Sequence, residues 1–259
     1  MSEVRKPRIL FLDIESLTDL KAVMEVFPSL SDYPGLTLKA SHNSIICFGY
    51  KWLDEKAKCI KAWDYRGWRK NVNDDKLLVR DAMKIVNEAD VIVTYNGKGF
   101  DAKFLLTRLV KNGYRPQELP IHVDMKNVVK KNFFLLNNRL KTVCKHFLDD
   151  NKKDHEGWPL WVKVGQRNKR AMKEMVDYNI QDVVVLEKLF KKMLPLINQI
   201  PNHNIYTDGA YKCCVNCGSA RLIKKGIRPT RTGKVREYQC KDCGKYSREK
   251  IKIHKLILK

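Results

Sequence analysis

Apolar positions along this chain follow two periods, one alternating and one helical, and the switches between them outline a fold. Arg8–Ile14 is a dense apolar run closed by acids, which predicts a central strand. The polar stretch after it, with Pro28, Pro34 and Gly35, predicts a loop or lid-like insertion. Ser44–Trp52 and Lys58–Trp63 are β-rich runs around Asp54-Glu55-Lys56, the pattern of a hairpin. Leu77, Leu78, Ala82, Ile85, Val86 and Ala89 then recur at helical spacing. Val91–Thr94 is a short β-branched strand, broken by Asn96-Gly97-Lys98-Gly99. A helical pattern resumes over Asp101–Asn112 and stops before Gly113 and Pro116.

Ile121–Asp124 reads as another strand, followed by lysine-rich helices over 125–131 and 138–148. Asp149–Gln166, with Trp158, Pro159 and Trp161, reads as a polar loop. Asn168–Leu194 is the longest helical pattern and ends at Pro195. Strands alternating with helices in this order predict a mixed α/β domain over residues 1–200. The boundary falls near Pro201–Thr207, and residues 208–259 form a second, cysteine-bearing domain. No internal repeat or low-complexity tract interrupts either part.

Charge changes the picture next. The chain carries 51 Lys+Arg against 29 Asp+Glu, a formal net charge of +22. Such an excess repels itself unless a polyanion offsets it, and nucleic acid is the commonest one. Residues 200–259 hold 15 Lys/Arg and 4 Asp/Glu, so the last part is the most densely basic. No apolar run approaches the roughly 18 residues of a membrane span. The opening, basic and then briefly apolar with acids inside it, reads as a buried strand instead of a secretory signal. The expected compartment is therefore cytoplasmic.

Three acidic signatures lie ahead of the basic region. Asp13 and Glu15 are two apart on a strand and share a face. Asn96-Gly97-Lys98-Gly99-Phe100-Asp101 is a glycine-rich turn that delivers Asp101 at the start of a helix. Tyr178 and Asp182 stand one helical turn apart. Asp13, Glu15, Asp101 and Asp182 brought together suit two hard Mg²⁺ or Mn²⁺ ions and phosphodiester cleavage, with Tyr178 orienting the attacking water. Four unliganded acids would repel one another, so the ions belong to the expected site. Asp124 reads either as a support to this site or as a helix cap. Trp158 and Trp161 read as packing residues or as a platform for a base. Lys98 reads as solvated, and His122, His146 and His155 have no partner spacing.

The cysteines divide in the same way. Cys47, Cys59 and Cys144 are isolated and read as small core residues. Cys214-Val-Asn-Cys217-Gly and Cys240-Lys-Asp-Cys243-Gly are matched knuckles, a spacing that predicts one structural Zn²⁺. Cys213 reads as a bystander. Lys224, Lys225, Arg228 and Arg231 lie between the knuckles and are candidates for phosphate contact, as Asn96 and Phe100 are near the acids. The cysteine segment or the tail Ile251–Lys259 also offers a surface to a protein partner.

The three acidic segments together resemble the exonuclease motifs of the DEDD superfamily, over about residues 8–194. Asp13 and Glu15 match its Asp-x-Glu; Asn96, Phe100 and Asp101 match its Asn-x-x-x-Phe-Asp. Tyr178 and Asp182 match the tyrosine subtype, because the histidine form needs His where this chain has Asp177. The flavour is nearest to the exonuclease domains of family B polymerases and to stand-alone ribonuclease H-like exonucleases. The resemblance implies a ribonuclease H-like mixed sheet flanked by helices and 3′–5′ exonuclease activity, with DNA favoured over RNA. The cysteine segment resembles zinc ribbons of transposase-associated and other DNA-binding proteins. Two other readings stay open: a transposase- or resolvase-like nuclease, which lacks the Tyr-x-x-x-Asp helix, and a non-catalytic protein that holds strand ends.

Overall fold

The computed structural model describes residues 6–18, 43–148, 158–207 and 212–251. The insertion expected around Pro28, Pro34 and Gly35, the first half of the 149–166 loop and the tail beyond Ile251 lie outside these residues. The chain divides into two compact units, Arg8–Leu189 and a second built chiefly from the residues after it.

The larger unit is a five-stranded mixed sheet. Its strands are β1 (Ile9–Thr18), β2 (Asn43–Trp52), β3 (Lys58–Lys61), β4 (Val91–Thr94) and β5 (Ile121–Asp124). They lie in the order β3-β2-β1-β4-β5. Antiparallel pairing joins β1 to β2 and β2 to β3, and parallel pairing joins β1 to β4 and β4 to β5. β1 is central because its alternate residues Leu10, Leu12 and Ile14 enter the main core, while Phe11 is fully buried on the other side. β1 runs past the predicted end at Ile14, and its register with β2 shifts between Glu15 and Ser16. Such a bulge re-aims side chains, and here it comes at the acid.

The helices are α1 (Arg66–Lys70), α2 (Lys76–Asn87), α3 (Asp101–Lys111), α4 (Met125–Asn132), α5 (Leu140–Leu148), α6 (Trp158–Gly165) and α7 (Lys169–Met193). α2 buries Leu78, Val79, Ala82, Met83 and Val86, the stripe its spacing predicts. α3 buries Phe104, Leu105 and Leu109 in the same core. Two expectations need correction. The second half of the predicted 149–166 loop is α6, because Leu160 and Val164, one turn apart, are fully buried. The predicted strand Lys58–Trp63 ends at Lys61, and Ala62–Asp64 turns into a short 3₁₀ segment.

Two buried ion pairs fix the helices to the sheet. Arg108 of α3 grips Asp75 with two bonds of 2.7 and 2.6 Å, and Asp75 also accepts from Ile45 N and Asn112 Nδ2. Lys51 of β2 pairs with Glu187 of α7 at 3.0 Å. Glu187 also accepts from the Asp54 amide at 2.7 Å, so α7 is pinned to the β2–β3 turn. Such pairs define register more than they add stability, since each charge was taken from water.

The second unit contains an antiparallel three-stranded sheet of β6 (Leu222–Thr230), β7 (Gly233–Cys240) and β8 (Tyr246–Ile251), with β7 in the middle. β8 ends at Ile251, where the tail offered to a protein partner begins. No helix among the described residues is long and apolar enough to cross a membrane.

Candidate active site

The acid site is assembled by the central strand and the longest helix. Asp13 and Glu15 project from one face of β1, and Asp182 projects from α7. One carboxylate oxygen from each lies within 4.8 Å of the other two. Asp182 is buried and Asp13 half-buried. Three negative charges this close repel strongly at the low effective dielectric of a protein interior. Their donors are all hard oxygens, so the set fits a divalent cation of the Mg²⁺ or Mn²⁺ kind.

Asp101 is the fourth predicted acid, and it stands outside this close trio. It opens α3 and is buried, with Oδ1 accepting from the amide of Ile14 at 3.1 Å. Ile14 lies between Asp13 and Glu15, so Asp101 is tied to the strand segment that carries both. Burial pushes its carboxyl up to about 7, with Asp124 adding to the rise and the amides of Asp101 and Ile14 opposing it.

Asp101 owes its place to the turn before it. Asn96 has φ +69°, and Gly97 is required because a Cβ there would stand 2.3 Å from Thr94 Oγ1. Asp124 clamps the turn, accepting from the amides of Asn96 (2.9 Å) and Lys98 (3.1 Å). It also accepts from Lys126 N and so caps α4. The capping alternative for Asp124 is therefore the one observed, joined to the clamp. Asn96 is exposed and accepts from Lys126 Nζ at 3.1 Å. Phe100 is half-buried and stacks on Phe104, ring centroids 5.2 Å apart.

Tyr178 sits one turn before Asp182 on α7 and meets Trp161 edge-on, ring centroids 6.2 Å apart. Burial raises its phenol well above the usual tyrosine range, and the charges of Asp182, Glu15 and Asp13 raise it further. The hydroxyl thus keeps its proton and lies in the field of the whole trio. Trp161 takes the packing role, against Tyr178.

One residue of the site was not singled out from the sequence. Asn179, fully buried, donates from Nδ2 to both Asp13 Oδ2 (2.8 Å) and Asp13 O (3.2 Å). Its Oδ1 receives Cys59 Sγ at 3.4 Å, which also gives that cysteine a place near the site. Gly49, paired with Asp13 across β1 and β2, leaves the room: a Cβ there would lie 2.4 Å from Asn179 Oδ1. Its adjacency to Tyr178 was the available signal, but nothing local shows that its amide reaches a strand far back in the chain.

The cysteine centre belongs to the second unit. The sulfurs of Cys214, Cys217, Cys240 and Cys243 all lie within 4.8 Å of one another. Cys214 and Cys243 are 3.4 Å apart, Cys217 and Cys240 3.6 Å, and all four are free thiols. Tetrahedral zinc with bonds of about 2.3 Å requires sulfurs about 3.8 Å apart, close to these spacings. Gly218 and Gly244, which follow the knuckles, have φ +72° and +79°, a left-handed geometry that suits glycine. The four-cysteine cluster is compatible with a zinc ribbon. Cys213 lies outside it and exchanges backbone hydrogen bonds with the Asn204 side chain. Buried Asn216 donates to the carbonyls of Leu194 and Ile197 and so anchors the first knuckle within this unit. Lys224, Lys225, Arg228 and Arg231 are all exposed on or beside β6, with Arg228 3.6 Å from Glu237.

Comparison with known proteins agrees with this architecture. No curated protein sequence matches the chain. The solved structure of the family B DNA polymerase from the hyperthermophilic archaeon Pyrobaculum calidifontis is similar over 74% of this chain, with TM-score 0.55 and 20% identity. The chain spans only 25% of that polymerase, and the likeness is one of fold. The RNase_H superfamily profile matches residues 35–194, a span that includes Asp101, Tyr178 and Asp182 and begins after β1. With a match over more than half its length and a mixed sheet flanked by helices, the chain belongs to the RNase_H superfamily.

Proposed function

We propose that this protein is a metal-dependent 3′–5′ exonuclease of the tyrosine DEDD subtype. In this reading residues 1–200 form the nuclease domain and residues 208–259 a zinc ribbon that holds nucleic acid. The observation that carries it is the meeting of Asp13, Glu15 and Asp182 oxygens within 4.8 Å, with Asp101 bonded to the strand between the first two.

Asp13, Glu15, Asp101 and Asp182 would hold two Mg²⁺ or Mn²⁺ ions. Bound there, the ions would supply Lewis-acid stabilisation of the attacking and leaving oxygens of an in-line displacement. The chain's own residues then have separate tasks. Asn179 holds the Asp13 carboxylate in one orientation. Tyr178, protonated and beside Asp182, orients a water toward the scissile phosphate and accepts no net charge. Asn96 and Phe100 flank the entry to Asp101 and are the first candidates for contact with the strand. Hydrolysis from the 3′ end would release 5′-mononucleotides; this polarity rests on the motif resemblance. Cys214, Cys217, Cys240 and Cys243 would close a tetrahedral shell around one Zn²⁺, a structural role that leaves no position for substrate. Lys224, Lys225, Arg228 and Arg231 would meet phosphates without reading sequence, with DNA favoured as the polyanion.

Purified protein incubated with 5′-labelled single-stranded DNA and RNA, with and without Mg²⁺ or Mn²⁺, tests the reading. A ladder that shortens from the 3′ end only when metal is present is expected. Intact substrate under every metal condition would instead make the chain a binding protein.

A further inference from the structure

The segment between α4 and α5 carries two of the most exposed apolar side chains among the described residues. Phe134 is 94% and Leu136 99% exposed, although water disfavours both. This tip is built on a fixed base. Phe133 closes α4 through its amide to Val129 O at 2.9 Å, and its ring packs on Phe147 with centroids 4.7 Å apart. Asn138 O accepts from Tyr95 OH at 2.8 Å, and Asn137 Oδ1 accepts from Arg139 N at 2.9 Å. Phe133 and Leu135 are partly covered, while Phe134 and Leu136 point out.

Charge identifies what covers them. From Met125 to Leu148 the chain has Lys126, Lys130, Lys131, Arg139, Lys141 and Lys145 and no acid. A protein-docking core is depleted in lysine, so this setting is a poor match for one. An aromatic ring beside an aliphatic side chain, set amid cations, suits a ligand with flat faces and a phosphate backbone. The segment is also bonded to the acid site. Tyr95 leads into the turn that ends at Asp101, and Lys126 of α4 donates to Asn96 in that turn. The turn's last residue holds the β1 segment bearing Asp13 and Glu15.

We propose that Phe134 and Leu136 form a stacking platform for unpaired bases, so that this site takes single-stranded nucleic acid. The proposal rests on the nuclease reading and adds to it the class of substrate and the residues that select it. A duplex keeps its bases stacked on one another and offers this platform nothing but phosphate.

The test uses the full chain. Phe134→Ser/Leu136→Ser is made in an Asp182→Asn background, and binding is followed by fluorescence anisotropy. The probes are a labelled single strand, a blunt duplex and an abasic strand of equal length, with anionic lipid vesicles as a fourth arm. Loss of one or two stacked bases should weaken single-strand binding about tenfold or more and leave the abasic strand within about twofold. A second variant, Phe134→Trp, should show its indole emission quenched by the base-bearing strand and not by the abasic one. Equal losses on both strands, an unchanged single-strand affinity, or a loss confined to vesicles would overturn the platform. If the unmodified protein cleaves strands while the platform variants bind normally, the platform falls and the nuclease reading stands. If nothing is cleaved but base-dependent binding needs Phe134 and Leu136, the nuclease reading falls and the platform stands.

Discussion

The carboxylate centre and the cysteine centre are assembled by opposite routes. The acids come from β1, the start of α3 and α7, and stretch from Asp13 to Asp182. Asp13, Glu15 and Asp182 meet, with Asp101 bonded beside them, because a sheet and a long helix are packed and pinned by buried pairs such as Lys51–Glu187. The cysteines all lie between Cys214 and Cys243, in two knuckles whose glycines set the backbone. The first centre is thus held by packing between distant elements of the core. The second lies in a unit whose buried apolar side chains include Phe190, Met193, Ile197, Ile200, Val235 and Tyr238, and a zinc ion held by the thiols would add to its order. Distance along the chain separates a centre assembled by tertiary packing from one whose side chains are already near neighbours in sequence.

That contrast can be broken most sharply at Asp182. Asp182→Asn keeps the shape and removes one charge from the trio, so cleavage should fall on the order of a thousandfold or more, given the several kcal/mol of Lewis-acid stabilisation. Its thermal midpoint should hold or rise as repulsion is relieved. Near-normal turnover in this variant would remove Asp182 from the site.

Arg108→Ala tests the core that the acid centre relies on. It leaves Asp75 buried and uncompensated, and a loss of about 3–5 kcal/mol in denaturant unfolding is expected. A change below about 1 kcal/mol, the scale of an exposed pair, would mean that the Asp75–Arg108 bonds do not organise this unit.

Tyr178→Phe removes only the hydroxyl. A rate about a hundredfold lower with unaltered strand affinity is expected for one positioned proton-handling group. Should affinity fall and the rate per bound strand persist, Tyr178 holds substrate instead of water. Asn179→Ala should act in the same direction and more weakly, through loss of its bonds to Asp13, while Asn179→Asp adds a fourth charge and should lose more.

Cys240→Ser gives the smallest effect on chemistry and the clearest one on the second centre. Zinc content by atomic emission should fall from one per chain to near zero, with unfolding limited to the second unit. Strand affinity should drop roughly tenfold, and the salt slope on a single strand should flatten by about 0.7 for each phosphate that the ribbon no longer neutralises. A full zinc complement in this variant would move the fourth ligand to another residue.

Much of this was legible in the residues themselves. Asp13 and Glu15 share a face because strands alternate, Tyr178 and Asp182 because helices turn every 3.6 residues, and the knuckles because two thiolates at that spacing reach one point. The α2 and α7 stripes followed their periodicity for the same reason. All are local geometry, which sequence spacing encodes directly. What lay beyond it was set by contacts between distant segments. Leu160 and Val164 made a helix of an expected loop because a core was there to receive them. Asn179 gripped Asp13, with Gly49 leaving the space, and Asp124 proved both cap and clamp. Sequence alone determined the candidate acids and cysteines and the elements that carry them. Tertiary packing alone decided that three acids meet, that the fourth is held one residue behind them, and that Phe134 and Leu136 stay uncovered. Periodicity names the face a side chain occupies; only the packed chain determines what stands opposite it.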